Sequence, residues 1–525
     1  MQKAYPPAYA TVPYPHTPVC SLQSQHSILG GLNCHMVRHR EDVPIASDGR
    51  MSNRLVSFQD LVEGQAAEEA MGVIGYEKGS VLVLTDAPGA AGILSGRPPA
   101  SRQADGGRMR MLNVWDGERH IGVFTEAAGQ VLFSYDDDVD YPISLSLPVA
   151  SPVHAAAAMF LEGLLPEDDD DRLRVQIATG AQTDGAFDLL DGVDAAGGLV
   201  FSASDERPEL ERTGPTPMTE EDFERLLRMR GGHSNWWDED SKARFLLAGN
   251  QKKFTVAVIG GRRFWPSAAV PSTAIYKPEP REFPWCSVYE HVCEVLAASC
   301  GIPAPQTSVL EVNGERVYSI ERFDRVLGPD GTVRRVRTED LTQALSVPSL
   351  HKYDVELADA LNLLASIDST GDLPYELLEQ VAFNTYVGNA DAHAKNYSLF
   401  LSREGASLCP LYDCVPTYVY PGLSRGLAMS VNGKWYSEEI GLSDWEAEAV
   451  MNGLDGDRAV ETVGRVLAGI HACAEEAMSE LPGAQKDELS RVLRLTFRRV
   501  SGDVELFAPK PLCSRPSART SRKSR

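Results

Sequence analysis

A chain of 525 residues exceeds the size at which a single hydrophobic core normally divides, so two or more globular units are predicted. With 43% hydrophobic and 24% charged residues it has the balance of a soluble globular protein, and a formal net charge of -24 excludes a whole-chain nucleic-acid binder, because a phosphate backbone would be repelled by most of its surface. No apolar run reaches the ~18 residues of a membrane span; the opening "MQKAYPPAYATVPYPH" lacks an apolar signal core, and nine cysteines without dense pairing fit a reducing compartment, so a cytoplasmic protein is predicted.

Residues 1–107 read as an extension of unassigned role, its first third kept from regular structure by Pro6, Pro7, Pro13, Pro15 and Pro18. Strand-like pieces occur within "MGVIGYEKGSVLVLTDAPGAAGILSG", and Met109 or Met111 is a candidate alternative start. A subdomain is predicted over 108–205. It begins with a hairpin at Asp116-Gly117 in "MRMLNVWDGERHIGVF", continues through "QVLFSY" and "YPISLSLP", and enters two helices broken near Pro166. The acids from Glu167 to Asp171 read as a solvated helix start, where carboxylates favour the positive end of the dipole, rather than as a metal site. A charged linker is predicted over 206–240.

Short strands resume over 241–335, in "ARFLLAGNQKKFTVAV", "STAIYKP" and "RVYSIERFDRV", with Asn313-Gly314 as a second hairpin turn. Between them "PWCSVYEHVCEVLAASCGI" reads as a helix with Val288, Val292, Val295 and Leu296 on or near one face, closed by Gly301. Cys286, Cys293 and Cys300, seven apart, belong to its packing. Cys409 and Cys414 lack the second pair a zinc site would need. Residues 336–512 are mainly helical, apart from a strand pair at "YSLFLS" and "SLCPLYDC", and 513–525 form a basic tail predicted to be disordered.

Inside this helical region lies "GNADAHAKNYSLF", residues 388–400, which crowds short polar groups between an incoming helix and an outgoing strand. A loop held at both ends is where catalytic groups are commonly mounted. Asp391 and Asn396 stand five apart, the spacing of base and metal ligand in a kinase catalytic loop, and Asp413 follows seventeen residues later, closing a second apolar strand. Phosphoryl transfer needs a proton acceptor, oxygen ligands for magnesium and a cation for the phosphate; Asp391, Asn396 with Asp413, and Lys395 supply them, while "LAGNQKK" and Lys277 offer a phosphate cradle and a strand lysine. An Asx-rich turn accounts for the same cluster without chemistry.

"YPISLSLP", "FLEGLLPED" and "FDLLDGVDAAGGLVF", followed in order by "LAGNQKK", "IYKP", "ERFDR", "GNADAHAKNYSL" and "PLYDC", resemble the HipA-like serine/threonine kinases of bacterial toxin-antitoxin systems over roughly residues 108–510. The resemblance implies an α+β, two-lobed protein-kinase-like fold with a mixed α/β N-terminal region and a mainly helical C-terminal lobe. It implies Asp391 as catalytic base and Asn396 with Asp413 as magnesium ligands. Ala248, Gly249, Asn250, Gln251, Lys252 and Lys253 would cover the phosphates of ATP and Lys277 would pair with them. Glu321, Arg322 and Phe323 would form the adenine hinge, and His393, Lys395 and Tyr412 would line the nucleotide. Glu290, on the helix after the Lys277 strand, is a candidate partner for that lysine.

Further implications are a protein substrate such as an aminoacyl-tRNA synthetase or another translation factor, whose phosphorylation arrests growth, and a separately encoded DNA-binding antitoxin through which the chain would associate with DNA indirectly. Leu246 stands where some family members carry an autophosphorylated serine, so phosphorylation is expected at Ser234 or Ser241 rather than within the phosphate loop; Asn250 and Lys252 also depart from the usual residues there. Two rival readings fit these residues less well. A non-catalytic kinase-shaped module in a repressor complex has no need of Asp391, Asn396, Asp413 and Lys277 together, and a phospholipase D-like enzyme would require an aspartate at the position of Phe400.

Overall fold

A computed structural model describes residues 73–75, 83–84, 109–150, 154–208, 215–228, 252–329 and 331–500. The chain divides into two units, 1–106 and 107–525. In the first, β1 (Val73–Gly75) and β2 (Val83–Leu84) pair antiparallel, inside the segment read as strand-like. Leu246, Ser234, Ser241, the loop residues 248–251 and the basic tail lie outside the described residues.

The second unit opens with β3 (Arg110–Asp116), β4 (Arg119–Ala127) and β5 (Gln130–Tyr135), joined by tight hairpins, and β6 (Val200–Ser202) completes an antiparallel sheet of order β5-β4-β3-β6. The long return to β6 carries α1 (His154–Glu162), α2 (Asp169–Thr179) and α3 (Ala186–Leu189). The acidic run behaves as a helix start: Asp168 caps α2 by accepting the Asp171 amide, and Asp169, Asp170 and Asp171 fill the first turn. Glu167 does not share that solvent, as shown below.

A five-stranded antiparallel sheet of order β10-β11-β9-β7-β8 follows, made of β7 (Phe254–Ile259), β8 (Arg262–Phe264), β9 (Ala274–Pro278), β10 (Thr307–Val312) and β11 (Glu315–Glu321). The Asn313-Gly314 turn between β10 and β11 has positive φ at both residues, as a two-residue hairpin matched to strand twist requires. Between β9 and β10 runs α5 (Cys286–Ser299); Cys286, Val292, Cys293 and Leu296 are buried, but Val295 is exposed, because its apolar face is narrower than the valine run suggests.

One expectation changes. The segment read as a charged linker contains α4 (Glu220–Arg228), whose Phe223, Leu226 and Leu227 are buried while Glu220 and Glu221 are exposed. Phe223 meets Phe254 and Tyr276 edge to face, with ring centroids 5.7 and 5.0 Å away. One continuous apolar core therefore joins the first sheet, α1 to α4 and strands β7, β9 and β11. Gly198 marks the closeness of this join to the rest of the chain: a Cβ there would stand 2.3 Å from the Val336 carbonyl oxygen.

The remainder forms a second core. After the ribbon β12 (Arg325–Leu327) and β13 (Val333–Arg335), it contains β14 (Thr338–Asp340), α6 (Leu341–Ala344), α7 (Leu357–Ile367), α8 (Leu373–Val387), β15 (Ser398–Ser402), β16 (Gly405–Leu408), α9 (Leu442–Met451), α10 (Gly456–Ala477) and α11 (Gly483–Thr496). This is the α+β, two-lobed arrangement expected. Among the described residues no helix is long and apolar enough to cross a membrane.

Candidate active site

The polar cluster sits between α8 and β15. Helix α8 ends at Gly388, which has φ +80 and would place a Cβ 2.5 Å from Val492 Cγ1, so only glycine lets the chain turn here without displacing α11. The loop is then braced on both sides: the Ala390 amide donates to Thr417 Oγ1 at 2.8 Å and the Ala390 carbonyl accepts the Ala428 amide at 2.9 Å. Asn389 ties it internally, donating to Asn384 Oδ1 at 2.8 Å and accepting the Asp391 amide at 3.1 Å. Among the described residues the Asp391 side chain accepts one hydrogen bond, from the Tyr353 hydroxyl at 2.7 Å. Burial pushes the Asp391 carboxyl up to about 6, and the Tyr353 hydrogen bond acts against that rise.

Lys277, on β9, donates to Glu290 Oε1 on α5 at 2.7 Å and to Asp413 Oδ1. Burial works against its charge; the two carboxylates outweigh that and hold its ammonium above the ordinary lysine range. Asp413 would likewise be raised by burial, but Lys277 and Lys253 keep it well below the carboxylate range. Asp413 does not close a strand as expected. β16 stops at Leu408, since Pro410 has no amide to continue the ladder, and Asp413 takes a left-handed backbone with φ 58. A non-glycine residue held there costs about 1–3 kcal/mol. The strain aims its carboxylate at Lys277 on one side and Asn396 Nδ2, 2.7 Å away, on the other.

Asn396 and Asp413 thus meet as an amide and a carboxylate beside a lysine, groups whose oxygens are hard donors of the kind magnesium takes. Among the described residues there is no cluster of three or more His, Cys, Asp or Glu able to hold a metal. Lys253, just before β7, lies in the field of Lys277 and Asp413; burial and then Lys277 press its ammonium down to about 8.

Other sequence-derived residues fall differently. Lys395 does not face open space: its ammonium is held by Asp340 at 3.0 Å, Ser349 at 3.2 Å and the Gly163 carbonyl at 3.3 Å, three acceptors for three donors, so it fastens the loop to α1's end instead of meeting phosphate. Arg322 is turned into a buried network with Asp324, Ser272 and Asp194, and its amide donates to Thr273 O at 2.9 Å, so its part in a hinge is structural. Glu321 is the exposed end of β11, paired with Ala274. Phe323 and Tyr412 stand together, centroids 5.4 Å apart, and Tyr412 donates to the Lys395 carbonyl at 2.6 Å, forming an aromatic wall. His393 packs edge-on against Tyr353, and burial lowers its imidazole to about 3, so it is neutral; its Nδ1 is buried without a partner among the described residues. Lys252 is partly buried, and 248–251 are outside the described residues.

Sequence reasoning missed Tyr353, Lys352 and Glu167. They lie 38, 39 and 224 residues before Asp391, and no local pattern announces contacts made across such separations.

Comparison with known proteins bears on this geometry. Residues 112–201 match a family model described as the HipA N-terminal domain and residues 245–474 one described as the HipA-like C-terminal domain. "Putative kinase Y4mE" of Sinorhizobium fredii is 34% identical over 360 residues, 65% of this chain and 85% of that protein. The serine/threonine-protein kinase toxin HipA of Shewanella oneidensis is 26% identical over 376 residues, 67% of this chain and 84% of that protein. A solved structure of Shewanella oneidensis HipA with HipB and operator DNA is similar at TM-score 0.65 and 23% identity, over 76% of this chain and 99% of that one, which establishes likeness of fold.

Proposed function

The chain belongs to the HipA-like kinase family, and from its site we propose that it is an ATP- and magnesium-dependent protein kinase acting on serine or threonine hydroxyls. One observation carries this reading. A single lysine joins Glu290 on α5 to Asp413 across the two lobes, and Asp413 in turn touches Asn396 on the loop that presents Asp391. A structural ion pair would not need a strained carboxylate shared between a buried lysine and an amide next to a raised aspartate.

In the proposed reaction Lys277 and Lys253 face the phosphates of ATP, with Phe323 and Tyr412 offering a wall for the base. Asn396 and Asp413 would hold magnesium, which when bound supplies positive charge to the phosphate oxygens. The acceptor hydroxyl oxygen forms a bond to the γ-phosphorus while the bond from that phosphorus to the β,γ-bridging oxygen breaks, and ADP leaves with the electron pair. Asp391, largely ionised at neutral pH, takes the hydroxyl proton. Tyr353 holds the carboxylate in place for that transfer.

The acceptor we propose is a protein of translation, such as an aminoacyl-tRNA synthetase, whose phosphorylation would arrest growth; support for this is the family resemblance. The Shewanella HipA structure was solved with HipB and operator DNA, and a separately encoded DNA-binding partner is proposed here on that likeness, bringing the acidic chain to DNA indirectly. The compartment proposed is the cytoplasm. The test is transfer of label from γ-labelled ATP to proteins of a bacterial cell extract, with and without a magnesium chelator. Chelator-sensitive phosphoserine or phosphothreonine is expected, and its absence at all magnesium concentrations would remove the kinase assignment.

A further inference from the structure

Of the lysines around Asp391, Lys395 has its three donors occupied and Lys277 is divided between two carboxylates. Lys352 differs. It is buried, yet among the described residues its ammonium has one hydrogen-bond acceptor, Glu167 Oε2 at 2.8 Å, which leaves its other donors uncommitted there. Glu167 comes from the N-terminal subdomain, immediately before α2, and its second oxygen, Oε1, is buried without a partner among the described residues. Two oppositely charged side chains therefore keep open hydrogen-bonding capacity in a place where an unmet polar atom is costly.

Both side chains belong to the surroundings of Asp391. Lys352 is stapled to the catalytic loop by its own carbonyl, which accepts the Ala394 amide at 3.4 Å, and the next residue, Tyr353, donates to Asp391 at 2.7 Å. The Lys352 ammonium lies 5.5 Å over the Tyr353 ring. Electrostatically both members of the pair are felt at Asp391, Lys352 lowering and Glu167 raising its carboxyl. No serine, backbone carbonyl or second carboxylate meets the remaining Lys352 donors among the described residues.

We propose, resting on the kinase reading above, that Lys352 supplies the cation for the transferring phosphoryl oxygens beside Asp391, and that Glu167 is a positioning residue through which the N-terminal subdomain holds that cation in place. An ammonium beside the base stabilises charge that grows on the phosphoryl oxygens as the β,γ bond breaks, without needing to bind ATP in the ground state. The subdomain is then part of the catalytic apparatus and not an appendage to it. Lys395, which the sequence suggests for the phosphate, is the loop's fastener; Lys352 takes the part from a position 43 residues upstream.

The test is γ-phosphate transfer to extract proteins by the full-length chain with ATP varied, for Glu167→Gln, Glu167→Asp, Lys352→Met and the double exchange Glu167→Lys with Lys352→Glu, each assayed below its melting temperature. Lys352→Met is expected to lower the maximal rate about 100-fold and Glu167→Gln about 10-fold, with the KM for ATP changed less than about threefold. Glu167→Asp should recover most of the loss. The double exchange restores an ion pair but reverses the charge at the phosphoryl group, so it should recover the melting temperature and not the rate. If the exchange recovers the rate, or if Glu167→Gln and Lys352→Met transfer phosphate like the wild type, the proposal is overturned while the kinase reading stands; a wild type that transfers no phosphate would overturn both.

Discussion

Asp391 combines a buried position with one tyrosine donor, and that combination makes its chemistry measurable. Its carboxyl is raised from 3.8 to about 6, so the base is protonated in acid and kcat/KM should climb through about pH 6. Tyr353→Phe removes a hydrogen bond that favours the charged form, so the acid limb should move upward by about half to one unit; a limb that stays put or moves down would show that Tyr353 does not govern the base. On the alkaline side Lys253, pressed down to about 8, loses its charge, and kcat/KM should fall again. Lys253→Arg keeps a cation at all accessible pH, so the alkaline limb should vanish in that variant if Lys253 is its source. The residues of this centre were legible in the sequence to different degrees. Asp391 and Asn396 announced themselves because their spacing is fixed by one loop, and the Lys277–Glu290 pair was reached through the strand-helix order. Lys395 misled because loop position does not say which way a long side chain turns, and Asp340, Ser349 and Gly163 O claim it from elsewhere in the chain.

Among the elements, the junction of α8 with the catalytic loop and the helix α4 are the most informative. Gly388→Ala would force a Cβ at positive φ into Val492 and Tyr418, which should cost about 1–3 kcal/mol and shift the loop that carries Asp391. Thermal denaturation and the transfer assay together check this; unchanged values for both would show that α11 gives way freely. In α4, Phe223 fills space between Phe254 and Tyr276 and is 1% exposed. Phe223→Ala should therefore destabilise by about 3–5 kcal/mol in chemical denaturation, whereas a linker residue would cost almost nothing. The sequence concealed α4 because six of its nine residues are charged and the three apolar ones carry the whole contact. The hairpins were plain by contrast, since Asn313-Gly314 is demanded by a turn that needs positive φ twice.

At the scale of the whole molecule, the N-terminal subdomain and the strand-rich lobe share one apolar core, fastened by a buried charge network. Asp194, fully buried, accepts from Arg325 at 3.2 Å, Arg335 at 2.7 Å and Ser272 at 2.6 Å, and its carboxyl is pulled down to about 2 because these arginines outweigh its burial. Asp194→Ala leaves buried arginines uncompensated and should cost about 3–5 kcal/mol. A fragment beginning at residue 215, which strips the first sheet and α1 to α3 from the shared core, should fail to give a cooperative unfolding transition; a cooperatively folded, active fragment would contradict the shared core. Reading along the chain separated these regions because composition changes between them, while burial joins them through residues too far apart in sequence to signal it. The central claim, that the cluster at 388–400 performs phosphoryl transfer, is tested most directly by comparing wild type with Asp391→Asn, measuring binding of a magnesium-bound, non-hydrolysable ATP analogue by calorimetry beside γ-phosphate transfer. The account predicts that the variant binds the nucleotide within about threefold of wild type while transfer falls by about 10²- to 10⁴-fold. Transfer undiminished in Asp391→Asn, or a wild type that does not bind the magnesium-nucleotide, would contradict it.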